Sequence, residues 1–315
     1  MAGARVILGD DLDPLAILRA LGVEDAWAVE PVAGGWDTAL WRVDRGGGSS
    51  ALRLFRPEQA STARREALVL RALAGQVPVP ELQAEGTWRG RPVLLLSWVP
   101  GRTLAHALRA CPWLAWRLGR AFGRVQAQIH AVPVTEPLRQ VVTDWIAWAG
   151  PGEEALQARL RAFPLRADAL LHLDYHPLNV MVEGAEVTGV LDWANVSVGD
   201  PRADLARTLS ILRLAPPPTG ALERLYALIA RLLELGWRSG YGKQASAQEE
   251  MALFYAWAGA VMLRDLAPKV GRPGVWLRQH HLDAVRRWTE AWKRRAGLAL
   301  SLRRGTLAGW RNNDG

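Results

Sequence analysis

The chain predicts an α+β fold in two lobes, a small sheet-based one followed by a larger, mainly helical one. Three observations lead there. Five β-compatible runs fall before Val99, the stretches beyond it carry helical spacing, and Val99-Pro100-Gly101 interrupts the pattern between them. A chain of 315 residues with 50% hydrophobic content can bury a large core and usually divides in two. The division is expected at the interruption, with one lobe over 1–99 and the other over 100–315.

In chain order, Pro14 to Leu21 reads as a short helix. Trp27 to Val32, Leu40 to Val43 and Ala51 to Phe55 are alternating or β-compatible and read as the first three strands. Gly34-Gly35 lies in the first connection and Gly46-Gly47-Gly48-Ser49-Ser50 in the second, so both are flexible hairpin turns. Peptide N–H groups approach an anion closely only where side chains are absent, which makes the first turn the candidate phosphate cover. A helix is expected from about Ala60 to Leu73. After the turn-rich Val77-Pro-Val-Pro80, the runs Leu82 to Thr87 and Pro92 to Trp98 complete a five-stranded sheet. Beyond the break, Thr103 can cap a helix to Arg109, and Pro112 to Ala131 has helical spacing. Further helices are expected at Ala221 to Leu235, Ser246 to Leu266 and Leu277 to Ala296.

Composition narrows the function classes. The formal net charge is +8, but only Lys243, Lys269 and Lys293 among the 39 basic residues are lysines, so the arginine excess is a chain-wide bias. The most basic stretch, Arg286 to Arg311, reads as a solvated helix face and tail. Sixteen tryptophans are scattered without a fixed period, and no nucleic-acid partner is implied. The single cysteine, Cys111, excludes an intrachain disulfide. The N-terminus lacks the apolar core of a signal peptide, which together point to the cytoplasm. The longest uncharged apolar stretch, Met251 to Leu263, has 13 residues, fits a buried helix and implies no membrane span.

The chemistry is concentrated in His172-Leu-Asp-Tyr-His-Pro-Leu-Asn179, followed by the apolar run Val187-Thr-Gly-Val-Leu191 and then Asp192. The pattern H-x-D-x-x-x-x-N is that of a kinase catalytic loop, in which the Asp orients the attacking hydroxyl and accepts its proton while the Asn holds a magnesium ion. Asp174 and Asn179 occupy those places. A second carboxylate gripping the metal should stand at the end of a strand beside the loop, where Asp192 stands. Phosphoryl transfer needs little covalent help from protein, so positioning and charge neutralisation carry it. Mg²⁺ takes oxygen ligands and keeps several waters, so one Asp, one Asn and the nucleotide phosphates suffice.

The next motif is Gly199-Asp-Pro-Arg-Ala-Asp-Leu-Ala206. With it, the chain resembles the aminoglycoside phosphotransferase-like family of small-molecule kinases, which includes enzymes of the choline-kinase type. A eukaryotic protein kinase would show D-F-G and A-P-E, whereas this chain has Asp192-Trp193-Ala194 and no A-P-E segment. The resemblance runs from about Pro31 to about Arg213. It implies a bilobal protein-kinase-like fold with ATP or GTP and Mg²⁺ as cofactors. It further implies that Arg53 and Glu66 stand for the strand-3 Lys and helix-C Glu that grip the phosphates, with arginine in the place where lysine is commoner. Gly34, Gly35 and Thr38 correspond to the family's loose phosphate loop, and Trp98 and Val99 to the interlobe hinge that holds the adenine edge. Asp204 would bond back to the catalytic loop. His172 supports that loop, His130 reads as structural, and His176 is assigned to loop structure or ground-state contacts.

The expected function is ATP- or GTP-dependent phosphorylation of a hydroxyl on a small molecule, an antibiotic or a metabolite. The alternative is a kinase-fold nucleotide-binding or regulatory module without transfer activity, suggested by Arg53 and the irregular glycine loop. Between Leu205 and Leu300 there are 7 acidic and 15 basic residues. That balance argues against a polycationic acceptor and for a neutral, modestly charged or partly apolar one, with Trp237, Tyr241, Tyr255 and Trp257 available to line its cavity.

Overall fold

The computed structural model describes residues 12–32, 38–140, 142–214, 223–242, 251–272 and 277–298. Helix α1 (Pro14–Ala20) opens it, with Asp13 accepting from the Leu15 amide at its start. Strands β1 (Ala26–Pro31), β2 (Ala39–Arg45) and β3 (Gly48–Leu54) follow, then α2 (Ala60–Leu73), β4 (Leu82–Trp88) and β5 (Arg91–Ser97). The five strands form one antiparallel sheet in the order β1-β2-β3-β5-β4, the expected five-stranded lobe.

Alternation along β3 decides which face carries function. Leu52 and Leu54 turn to one side, where they pack with Trp41, Val43, Val93 and Leu95 against Ile17 and Leu18 of α1. Ala51 and Arg53 point to the other side, toward α2, whose Ala63, Glu66, Ala67, Leu70 and Leu73 recur at helical spacing and are buried. Arg53 lies opposite Leu40 on β2 and Leu94 on β5, in the middle of the sheet. The parity of one strand therefore aims the guanidinium at the one acidic side chain buried on α2.

Beyond Gly101 the short strand β6 (Arg102–Thr103) leads into α3 (Leu104–Ala110), whose start Thr103 caps by accepting from the His106 amide. Then come α4 (Ala115–Ala131), α5 (Glu136–Arg139) and α6 (Glu154–Arg161). Four short strands follow: β7 (Ala169–Leu171), β8 (Val180–Glu183), β9 (Glu186–Val190) and β10 (Ser197–Gly199). They pair as β10-β7 and, with β6, as β6-β8-β9. The chain ends in α7 (Pro201–Leu214), α8 (Glu223–Tyr241), α9 (Ala252–Leu266) and α10 (Gln279–Arg295). Residues 246–250 of the helix expected from Ser246, the Arg-rich tail beyond residue 298 and the Gly34-Gly35 turn lie outside the described residues.

Two helices set the geometry of this lobe. The uncharged run from Ala252 to Met262 is buried all round, as an apolar helix in a large core should be. Helix α4 meets α8 through Gly119 and Gly123 on one side and Gly236 and Gly240 on the other. A Cβ at Gly123 would fall on the Trp237 carbonyl oxygen, and one at Gly240 on the Arg120 carbonyl oxygen. Backbones this close admit no side chain at the crossing. No helix among the described residues is long and apolar enough to cross a membrane.

Candidate active site

Arg53 organises the sheet side of the cleft. Its Nε donates to Thr38 Oγ1 at 3.1 Å, and a terminal nitrogen donates to Glu66 Oε1 at 2.5 Å. The other terminal nitrogen lies 3.5 Å from Asp192 Oδ1, and the guanidinium stands 4.8 Å from the Phe55 ring centroid. Glu66 is 2% exposed, so this is a buried pair and not a surface one. Burial pushes the Glu66 carboxyl above its usual range, against the pull of Arg53. For Arg53, burial alone would weaken the cation, but Glu66 and Asp192 more than offset it and hold the group charged.

The helical side of the cleft is the segment between β7 and β8. Leu173 adopts φ 60° and Asp192 φ 62°, a left-handed conformation that a non-glycine residue holds only when its surroundings impose it. The surroundings are visible. Leu173 N–H donates to Asp204 Oδ1 at 2.6 Å. His172 lies beneath the loop, with Nδ1 accepting from the Asp174 amide at 3.3 Å and Nε2 donating to the Leu191 carbonyl at 3.0 Å. Burial keeps His172 neutral by lowering its proton affinity, which is the form with one donor and one acceptor nitrogen. Leu191 N–H in turn donates to the Asn179 carbonyl at 2.8 Å. These bonds tie the end of β9 to the loop, so Asn179 and Asp192, 13 positions apart, arrive in one place.

Asp174 faces the cleft. Asn179 Nδ2 donates to its backbone oxygen at 3.0 Å and to Oδ2 at 3.2 Å, while His176 Nε2 is 3.5 Å from Oδ2. Burial raises the carboxyl's pKa, but the His176 hydrogen bond and the charges of His176 and Arg207 outweigh it and hold Asp174 well below the usual carboxylate range. It is therefore a carboxylate near neutral pH. His176 Nδ1 also accepts from the Leu178 amide at 3.2 Å, the loop-shaping role expected of it.

The donor set fits a hard divalent cation. Asp192 Oδ1 is buried and makes no hydrogen bond within the protein; it faces the Arg53 guanidinium at 3.5 Å as an ion pair only. The Asn179 amide nitrogen is engaged by Asp174, so its oxygen is the atom that could face a cation. No cluster of three or more His, Cys, Asp or Glu side chains suited to a metal occurs among the described residues. A two-residue oxygen site is what Mg²⁺ on a nucleotide requires.

At the hinge, Trp98 N–H donates to the Ser49 carbonyl at 3.1 Å and the Pro100 carbonyl accepts from Thr188 Oγ1 at 2.7 Å. Val99 packs on Gly189, where a side chain would collide with it.

Around Asp204 and His130, which the sequence singled out, stand Gln126, Arg207 and Thr208, which it did not. Asp204 accepts from Gln126 Nε2 at 3.1 Å and contacts His130 Nε2 at 2.9 Å, and His130 Nδ1 contacts the Tyr241 hydroxyl at 2.8 Å. Trp237 Nε1 donates to Gln126 Oε1 at 2.7 Å, and Thr208 Oγ1 donates to the Tyr175 carbonyl at 3.0 Å. Their signal was spacing: Gln126 and His130 are four apart on α4, and Asp204, Arg207 and Thr208 share one face of α7. Trp237, Tyr241 and Tyr255 do line a cavity of about 240 Å³, with Leu205, Leu209 and Arg213. Trp257 does not: it is fully buried, with Nε1 bonded to the Trp145 carbonyl.

A five-stranded lobe joined to a helical lobe, with a catalytic-type loop and a buried Arg–Glu pair facing it, defines the protein-kinase-like fold class. A family model described as the phosphotransferase enzyme family, APH, matches residues 28–242, and the chain belongs to that family. Viomycin phosphotransferase of Streptomyces vinaceus is 30% identical over 169 residues, a match spanning 44% of this chain and 58% of that protein. Among solved structures, aminoglycoside phosphotransferase APH(4)-Ia, in a ternary complex with ADP and hygromycin B, aligns with a TM-score of 0.60 at 15% identity, covering 90% of this chain and 98% of that one. Macrolide 2'-phosphotransferase MphH of Brachybacterium faecium aligns with a TM-score of 0.54 at 19% identity, covering 86% and 96%. At these identities the solved structures show the shared fold.

Proposed function

We propose that this protein transfers the terminal phosphoryl group of ATP or GTP to a hydroxyl of a small molecule, in the cytoplasm, with the lobes meeting near 99–100. The observation that carries the reading is the convergence of Asp174, Asn179, Asp192 and the Arg53–Glu66 pair on one cleft. Asp174 accepts the acceptor's hydroxyl proton as its oxygen bonds to the terminal phosphorus and the bond to the bridging oxygen breaks, releasing the nucleoside diphosphate. Asn179 and Asp192 would hold Mg²⁺, which when bound neutralises charge on the phosphate oxygens. Arg53, charged and oriented by Glu66, binds phosphate, with the Thr38 hydroxyl proton as a second donor. Asp204 and His172 support the loop.

Because the Trp98 amide and the Pro100 carbonyl are engaged within the chain, the base edge is assigned to the Val99 amide and the Trp98 carbonyl. The Asp174 carboxylate, held ionised at the loop, supports transfer over a nucleotide-binding module without activity, since binding alone needs no proton acceptor there. The test is acceptor-dependent diphosphate release across a panel of hydroxylated antibiotics and metabolites. Asp174→Asn should lower turnover by about 10² to 10⁴ with nucleotide affinity nearly unchanged. A loss of affinity with turnover per bound nucleotide intact would make Asp174 a binding residue instead.

A further inference from the structure

We propose that Arg207 is a positioning residue for the transfer, holding the Leu173–Asp174 segment and the Asp174 carboxylate in the orientation that meets the acceptor oxygen. The proposal rests on the reading of Asp174 given above. Helix α7 presents Asp204, Arg207 and Thr208 to the underside of the catalytic loop. Arg207 Nε donates to the Leu173 carbonyl at 3.1 Å, while the Leu173 amide donates to Asp204. Both peptide groups of the left-handed residue just before Asp174 are thus gripped by side chains of one helix, three residues apart.

The remainder of the guanidinium reaches the carboxylate itself. One terminal nitrogen lies 3.7 Å from Asp174 Oδ1 and 3.8 Å from Asp265 Oδ2 on α9. Oδ2 faces Asn179 and His176, so the two oxygens are held by different partners. The separation at Oδ1 exceeds a hydrogen bond, which orients the carboxylate by charge without occupying the lone pair that must receive a proton. Asp265 shares the same nitrogen and tempers the attraction.

A packing role does not account for this side chain. Its residue is 5% exposed, and its other terminal nitrogen is buried with no hydrogen-bond partner in the protein. An unpaired donor on a buried cation costs stability, so a core position under stability alone would favour an apolar group. The groups facing Asp174 are the His172 and His176 imidazoles from its own loop and the Arg207 guanidinium from α7, with Asp265 behind Arg207 from α9.

The test measures diphosphate release from Mg-ATP and Mg-GTP with water as acceptor, so that no acceptor need be known. Arg207→Met should lower kcat by about tenfold or more while leaving the nucleotide KM within about twofold. Arg207→Lys keeps the charge but loses the fork, and should lower kcat by about fivefold with the same unchanged KM. Wild-type kcat in the Lys variant, or kcat and KM damaged together, overturns the proposal. If Arg207→Met does not fold, the Lys variant decides by the same criterion. Asp174→Asn runs alongside: wild-type turnover there sinks the reading of Asp174 itself. An inactive Asp174→Asn beside a fully active Arg207→Lys sinks only the role of Arg207.

Discussion

Arg53 contributes through its burial as well as its charge, and its loss should be selective. Arg53→Ala should weaken ATP and ADP together, by about tenfold or more, and leave adenosine almost unaffected, because only the phosphates meet the guanidinium. Calorimetric titration of the three ligands checks this; equal weakening of adenosine would point to a collapsed lobe. His172 makes a second prediction, on stability. Its proton affinity in the folded state lies below the ordinary 6.5, so the unfolded chain takes up the proton first as pH falls. Stability should therefore be level above about pH 6.5 and decline below it. Asp174 and Asp204, also depressed, withdraw their support only below their ordinary 3.8. Urea midpoints between pH 7 and pH 5 should fall less steeply in His172→Gln than in the wild type, and parallel slopes would remove His172 from the account. At this scale the sequence showed Asp174, Asn179 and Asp192 because their spacing is set by chemistry. It hid Arg207 and Gln126, whose partners are peptide groups and side chains 34 and 78 positions away.

Among elements, the crossing of α4 and α8 is the joint on which the supporting shell hangs. Trp237 and Tyr241 on α8 reach Gln126 and His130 on α4, and both of those reach Asp204. Gly123 sits at the crossing, where an added methyl meets the Trp237 carbonyl and the Tyr241 amide, both backbone. Alanine gains about 0.8–1 kcal/mol over glycine in helix propensity, but forcing backbones apart in a packed core costs about 1–3 kcal/mol. Gly123→Ala should thus lower stability, by about 1 kcal/mol, and lower turnover with it by shifting Tyr241 and Trp237. A raised denaturation midpoint would show that the helices can part freely. The sheet was legible because β3 alternates and β5 carries a short continuous apolar run, each opening at or just after a glycine. The strands β6, β7, β8 and β10 were not, since runs of two to four residues carry no measurable period. Helix α7 carried a start signal in Asp200-Pro201, where the carboxylate accepts from the Arg202 amide at 2.9 Å.

The whole molecule constrains the acceptor through charge. The helical lobe carries 15 basic and 7 acidic residues between Leu205 and Leu300, and three of those carboxylates, Glu234, Asp265 and Asp283, are paired with arginines in the fold. Asp265, the α9 carboxylate that approaches Asp174 through Arg207, is also bonded by Arg264 at 2.6 Å. Glu234, beside the aromatic cavity, is held by Arg213, Arg231 and Arg238 at 2.7, 3.3 and 3.0 Å. An ammonium group entering near either would have to displace an arginine already in contact, and the net field would oppose its approach. We therefore expect a neutral or weakly charged hydroxyl compound to be the preferred acceptor, with kcat/KM at least about tenfold above that for a polycation. The assay compares hygromycin B with a macrolide, simple amino alcohols and neutral sugars at fixed nucleotide and low salt. The preferred acceptor's KM should change little on raising the salt, because screening has little to remove. Saturable, efficient phosphorylation of hygromycin B, weakening steeply with salt, would overturn the charge argument and mean that Asp265 or Glu234 exchanges its arginines for the acceptor's ammonium groups on binding.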